Sequence, residues 1–382
     1  MTLEPVQRLV DELARDLLGP LLDGRPRRGF HLASWDAEQG ICLTYERRDA
    51  VLLLELEQRD DALDCYARTA RFNVCARRQF EGDAPMTAGH RALVDHVVAV
   101  VRRREGRLPV FERPVTGRKT ALREVRVDQV LISEGRGHYY LNPYVGCMIG
   151  CPYCYVQQRA DFSRHLEGLP RVQWGRYLDV KVNAAEVLRE EVRRLPPGVV
   201  RMCPILTDPY QPVERRYRVT RRCLEVLLGA NFAPALLTRS ARILEDLELI
   251  QRFDRALVGF SIPTDMDRYR LIFEPGADPV EERFEALQAF HAAGVSTIAL
   301  IQPALPMNVE VVAERVAPYV RAVRVDRMYF TDLVADLYRE HGLEHCATDA
   351  FFDETVRALR EALRARGVRV DDLDDLGALM EP

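Results

Sequence analysis

Apolar residues over 3–18 recur at helical spacing and stop at Gly19-Pro20, which predicts one amphipathic helix. Over 29–80 the period shortens to two. Ile41-Cys-Leu-Thr-Tyr45 and Val51-Leu-Leu-Leu-Glu-Leu56 are separated by short polar turns, the pattern of a small antiparallel sheet. A second helix over about 87–104 completes an N-terminal α+β unit spanning 1–106. Past Gly137 strand patterns at 138–145, 178–182, 199–206, 233–238, 256–262, 296–302 and 322–330 alternate with helical patterns at 184–194, 220–228, 243–253, 279–293 and 309–320. Such alternation requires right-handed crossovers and a parallel sheet. The prediction is α/β, a partial (β/α)6 barrel over 138–335, with a helical extension over 336–382 in which 350–366 is the closing helix. Functional groups of such a barrel belong at the C-terminal ends of its strands.

The 382 residues are 47% hydrophobic and 29% charged, an ordinary globular composition that excludes a disordered or fibrous chain. The net charge of −4 makes no global case for nucleic acid. One local exception is 102–126, with nine basic residues against three acidic ones and breaks at Pro109 and Pro114. The segment 107–137 therefore reads as a basic linker, either a solvated connector or a cradle for a phosphate-bearing molecule. The chain does not open on a basic segment followed by an apolar run. No stretch approaches the roughly 18 apolar residues of a membrane helix. The expectation is a cytoplasmic protein with no membrane partner. Nine cysteines are too few for a disulfide scaffold, so a local group of them points to metal or redox chemistry.

Such a group follows the first barrel strand: Cys147, Cys151 and Cys154, spaced C-x3-C-x2-C. Structural zinc takes four closed ligands and an electron-transfer [4Fe–4S] cluster a fourth thiolate, and the spacing offers neither. Three thiolates on a four-iron cluster leave one iron open for chemistry. Cysteines so spaced, in a loop after the first strand of such a barrel, resemble the radical S-adenosylmethionine (SAM) superfamily. The resemblance narrows to its spore-photoproduct-lyase-like branch on Leu141-Asn-Pro-Tyr-Val-Gly-Cys147, Val180-Lys-Val-Asn-Ala-Ala-Glu-Val-Leu188, Thr207-Asp-Pro-Tyr-Gln-Pro-Val-Glu214, Leu237-Thr-Arg-Ser240, Gly259-Phe-Ser-Ile262 and Glu274-Pro-Gly-Ala with Arg283. It covers about 118–310 and leaves the N-terminal region outside. It implies a [4Fe–4S] cluster, SAM, an external reductant such as flavodoxin or ferredoxin, and reductive cleavage of SAM to a 5′-deoxyadenosyl radical.

The resemblance also implies residue roles. Thr207 and Asp208 contact the SAM amino group or ribose, or else cap a turn. Arg239 stands where the lyase has a lysine that meets the SAM carboxylate, and Ser261 matches a ribose contact. Tyr153 and Tyr155 match radical-relay tyrosines, although aromatic residues also simply pack over a cluster. The lyase's hydrogen-donor cysteine is replaced by Ile205. Cys203, on the same strand face as Ile205, is the candidate donor, or a small buried hydrophobe. Glu274 with Arg283, and Glu214, read either as branch features of the site or as ion pairs that hold loops. Lys181 and Asn183 match the branch without a chemical role.

Three functions remain open. The first is radical chemistry on an unidentified small-molecule or biosynthetic substrate, which the charge balance and the missing donor cysteine favour. The second is a nucleic-acid lesion lyase, which the basic run and Arg215-Arg216-Tyr-Arg218 favour. The third is a non-catalytic iron–sulfur redox protein.

Overall fold

The structure is a computed structural model, and it describes residues 30–36, 40–45, 50–59, 62–68, 73–79, 115–117, 120–135, 137–154, 156–157, 172–202, 207–329, 331–371 and 375–380. The helices expected over 3–18 and 87–104 lie outside these residues. Over 30–79 the expected antiparallel sheet is present, as β1 (Phe30–Asp36), β2 (Gly40–Tyr45), β3 (Ala50–Arg59), β4 (Ala62–Arg68) and β5 (Asn73–Gln79), paired in chain order.

Residues 115–135, read from the sequence as part of a basic linker, instead carry three strands: β6 (Val115–Gly117), β7 (Thr120–Val125) and β8 (Leu131–Gly135). Arg123, counted there as a basic residue, is buried and forks onto Asp179, with Nε donating to Oδ1 at 2.6 Å and Nη2 to Oδ2. A pattern of charge cannot show that a charge is paired across the fold.

The expected first strand divides at Asn142-Pro143 into β9 (His138–Leu141) and β10 (Tyr144–Val145). Proline lacks the ladder N–H, so the chain leaves one sheet and enters another. β10 pairs antiparallel with β11 (Tyr177–Lys181), which pairs parallel with β7, so the strand expected near 178–182 belongs to a four-stranded side sheet and not to the barrel.

The barrel sheet is formed by β9, β12 (Val199–Met202), β13 (Ala233–Thr238), β14 (Leu257–Ser261), β15 (Ser296–Ile301) and β16 (Ala322–Val325), six adjacent parallel strands. β8 pairs antiparallel with β9 at one edge, and β17 (Arg369–Val370) pairs parallel with β16 at the other. β14 is buried at all five positions, as a parallel strand covered on both faces must be. The crossover helices Ala184–Glu191, Val219–Gly229, Val280–Ala292 and Val309–Val316 supply the cover. Over 243–253 the expected helix is instead a 3-10 turn, Ala241–Asp246, capped by Ser240, followed by the short helix Leu247–Ile250. Pro318 ends the regular helix expected to reach 320 and leaves a 3-10 turn, Ala317–Tyr319. The helix Asp349–Ala365 buries one stripe at i, i+4, i+7 and i+11, of which Val356, Leu359 and Leu363 pack in the cluster of β16 and Phe352 in the cluster of Met328 and Tyr338. Among the described residues no helix is long and apolar enough to cross a membrane.

Candidate functional site: a three-cysteine loop at the barrel mouth

Cys147, Cys151 and Cys154 lie in the loop that leaves β10, and one cavity of about 380 Å³ brings them together with Tyr153, Thr207, Asp208, Arg239 and Ser261. Thr207 and Asp208 follow β12, Arg239 follows β13 and Ser261 ends β14, so the cavity sits at the C-terminal ends of the parallel strands. Tyr155 and Cys203 lie outside the described residues.

Backbone contacts hold the loop from two sides. Gln211 accepts from Met148 N–H at 2.6 Å and donates to the Gly146 carbonyl at 3.2 Å. Gly276 donates to the Ile149 carbonyl at 2.9 Å, and a Cβ on it would stand 2.5 Å from the Met148 oxygen. Only glycine permits that approach. The Glu274-Pro-Gly turn is therefore part of the loop's seat.

Glu274 is the hub of the polar wall. Its Oε1 accepts from Tyr153 O–H at 2.8 Å and Arg239 Nε at 2.6 Å, and its Oε2 accepts from Arg283 Nη1 at 2.7 Å. Burial alone pushes this carboxyl up, but Arg283 and Arg239 outweigh it and hold Glu274 below the ordinary carboxylate range. Arg239 is thus already oriented, with a side chain still 13% exposed to meet an anion. Arg283 also donates to the Ser261 carbonyl at 2.8 Å, which fixes the end of β14.

Asp208 is tied into the turns of two strand ends. Tyr210 N–H and Thr238 O–H donate to Oδ1 at 2.9 and 2.6 Å, and Arg239 N–H to Oδ2 at 2.8 Å. Burial pushes its carboxyl up against these donors. Turn cap and cavity wall are therefore one residue, and Oδ2 keeps acceptor capacity beyond its single protein donor. The Thr207 hydroxyl accepts from Gln211. Asn183 grips the backbone of Val127, accepting from its N–H at 2.8 Å and donating to its carbonyl at 2.7 Å. Its match to the branch is structural, at a distance from the cavity wall.

The cysteines are free thiols. Burial pushes Cys147 up to about 12, and raises Cys151 and Cys154 also. Such thiols need a cation to ionise. Among the described residues no three His, Cys, Asp or Glu side chains converge on a single ion. A four-iron cluster asks for something else, thiolates spread around a cube, and three cysteines distributed along one cavity wall fit it. The same cavity has room beside them and an oriented cation, Arg239, for a carboxylate. Sequence reasoning missed Trp174 as part of this site, and the rim formed by Gln302, Arg324, Arg327 and Tyr329. Trp174 carried one usable signal, as one of only two tryptophans in the chain.

The structure thus joins a parallel partial barrel to a three-cysteine loop at its strand-end mouth, where the active sites of such barrels lie. Residues 141–316 match the family model of the Radical SAM superfamily. An uncharacterized protein of Methanocaldococcus jannaschii is 26% identical over 208 residues, 54% of this chain and 75% of that protein. An uncharacterized protein of Acidianus two-tailed virus is 30% identical over 172 residues, 44% of this chain, and the match spans just 56% of the viral protein. Among solved structures, a spore photoproduct lyase variant with AdoMet and dinucleoside spore photoproduct bound is 14% identical, with a TM-score of 0.46 over 68% of this chain and 86% of that one.

Proposed function

We propose that the chain is a radical SAM enzyme, that it cleaves SAM reductively at a [4Fe–4S] cluster on Cys147, Cys151 and Cys154, and that the 5′-deoxyadenosyl radical so released abstracts hydrogen from a small-molecule or biosynthetic substrate. The observation that carries the reading is one cavity holding three free thiols and an oriented, partly buried arginine at a parallel strand-end mouth. Arg239 takes the SAM carboxylate, and Thr207, Asp208 and Ser261 take its amino group and ribose. Tyr153, fixed through its hydroxyl to Glu274, walls the cluster loop and is a candidate radical relay together with Tyr155. Cys203 is the candidate hydrogen donor to the product radical. A flavodoxin or ferredoxin supplies the electron. The N-terminal unit, 1–106, is outside the matched domain and is assigned no chemistry.

Anaerobic reconstitution tests this reading. The parent chain should bind four irons and produce 5′-deoxyadenosine from SAM and dithionite, and Cys151→Ala should do neither. A bound cluster without 5′-deoxyadenosine would instead favour a non-catalytic redox protein.

A second reading, a nucleic-acid lesion as substrate, draws on Arg215, Arg216 and Arg218, which are exposed just beyond the strand-end loop that carries Asp208. Binding to DNA with a steep salt dependence would support it, because phosphate contacts release counterions.

A further inference from the structure

We propose that the indole N–H of Trp174 donates a hydrogen bond to a sulfur of the cluster and so sets how readily the cluster is reduced. The inference rests on the cluster reading given above. Trp174 is 8% exposed, and among the described residues its buried Nε1 has no hydrogen-bond partner. An indole nitrogen is a donor only, so a folded protein that leaves it empty loses the hydrogen bond that water gives it in the unfolded chain. Such a group calls for an acceptor that the described residues do not provide.

The surroundings of Trp174 identify the acceptor's chemistry. The residue lines the cavity shared by the three cysteines. It packs with Val156 and Tyr177 into a small apolar cluster against which Cys147 and Cys154 lie. Its ring meets that of Tyr177 edge-on, with centroids 5.7 Å apart and planes at 73°. The backbone beneath it is seated on the cysteine loop itself. Gly150, between Cys147 and Cys151, and Gly175, next to Trp174, both have positive φ, and a Cβ on either would stand 3.0 or 2.9 Å from the other's Cα. Two glycines in the left-handed region with no room for a side chain between them fix the Trp174 turn against the loop. Electron-rich sulfur is the acceptor that a loaded site would add there. A donor to sulfur stabilises the reduced cluster, which carries one more negative charge, and raises its potential.

Trp174→Phe keeps the ring and removes the donor. The full chain, reconstituted anaerobically, should retain parental iron and sulfide. Its equilibrium constant for one-electron reduction should fall about tenfold, which corresponds to about 59 mV. Independently, parent protein grown with ¹⁵N-indole tryptophan should show ¹⁵N coupling to the reduced cluster by pulsed EPR, before SAM is added. The chain has two tryptophans, so Trp35→Phe should leave that signal intact. An unchanged potential in Trp174→Phe with the cluster retained overturns the proposal. Where the variant fails to hold a cluster, the labelled parent decides, because a reduced cluster without ¹⁵N coupling overturns it equally. A parent that binds no cluster overturns the reading of the site and this inference with it, a result distinct from a bound cluster that ignores the indole.

Discussion

Glu214 and Glu274 are both buried, 4% and 0% exposed, yet the protein treats their charges in opposite ways. Glu274 faces two arginines and a tyrosine hydroxyl, and stays ionised although burial opposes it. Among the described residues no cation pairs with the Glu214 carboxylate. Tyr144 O–H and the Arg221 N–H donate to it, and burial raises it to about 7. Desolvation acts on both, so the partners decide. Next to the cysteine loop the fold maintains a fixed ion triad that orients Arg239. Behind the loop that carries Asp208 it keeps a carboxyl that is half neutral near pH 7. The first arrangement is suited to a preorganised binding wall and the second to packing.

Removing Glu274 should produce the largest effect. Glu274→Leu leaves Arg239 and Arg283 buried without their carboxylate, and breaking a buried pair from one side costs about 3–5 kcal/mol. Urea unfolding at neutral pH should show that loss, and Glu274→Gln, which keeps an acceptor, should lose less. A loss below 1 kcal/mol in Glu274→Leu would mean that the triad is not a buried ion pair in solution.

Glu214 predicts a pH dependence of opposite sign. Its folded value of about 7 lies above the ordinary 4.5, so the folded state binds the proton more tightly than the unfolded chain does. The associated stability is present below about pH 4.5 and is lost as pH rises through 7, about 3 kcal/mol in all. Glu214→Gln has no charge to bury and should flatten that part of the profile. Relative to the parent, the variant should gain up to about 3 kcal/mol between pH 5 and pH 8 in denaturant titrations. Parallel profiles would place Glu214 in a wetter environment than its burial indicates.

The contrast also marks what a sequence can disclose. Period-two and helical patterns placed β13, β14 and β15 almost to the residue, because parallel strands buried on both faces leave long apolar runs. Strand-end residues follow from that, so Thr207, Asp208, Arg239 and Ser261 were legible as a group. Pairings across the fold were not. Arg123 looked like one more charge in a basic run until Asp179, 56 residues on, met it. Glu214 and Glu274 both looked like ion-pair candidates, since nothing local distinguishes a glutamate that meets arginines from one that meets a tyrosine. The side sheet was missed because β7, β10 and β11 come from separate stretches, and each alone looks like any short strand.

Arg239 should affect ligand binding more than stability, because Arg283 continues to neutralise Glu274 in its absence. Arg239→Ala should weaken SAM binding by about 1.5–3 kcal/mol, the range for a lost charge-assisted hydrogen bond, with iron content retained. Calorimetry on reconstituted protein measures it. Unchanged affinity would reduce Arg239 to a member of the triad with no ligand of its own.

Tyr144→Phe should have the smallest effect and the most diagnostic pH dependence. The phenol is fully buried and donates to Glu214 Oε2, so the substitution deletes one donor at little change in volume. That bond favours the ionised carboxylate and lowers the Glu214 value against burial, so its loss should move the value above about 7. At pH 5, where Glu214 is mostly protonated in the folded state, the cost should be about 0.5–1.5 kcal/mol, that of an ordinary hydrogen bond. At pH 8 the parent carries the charge and the variant must either bury it without the phenol or hold the proton against the solution, so the cost should rise. A deficit that grows with pH confirms that Tyr144 serves the carboxylate, whereas one constant from pH 5 to pH 8 would mean that it merely fills space beside an already neutral Glu214.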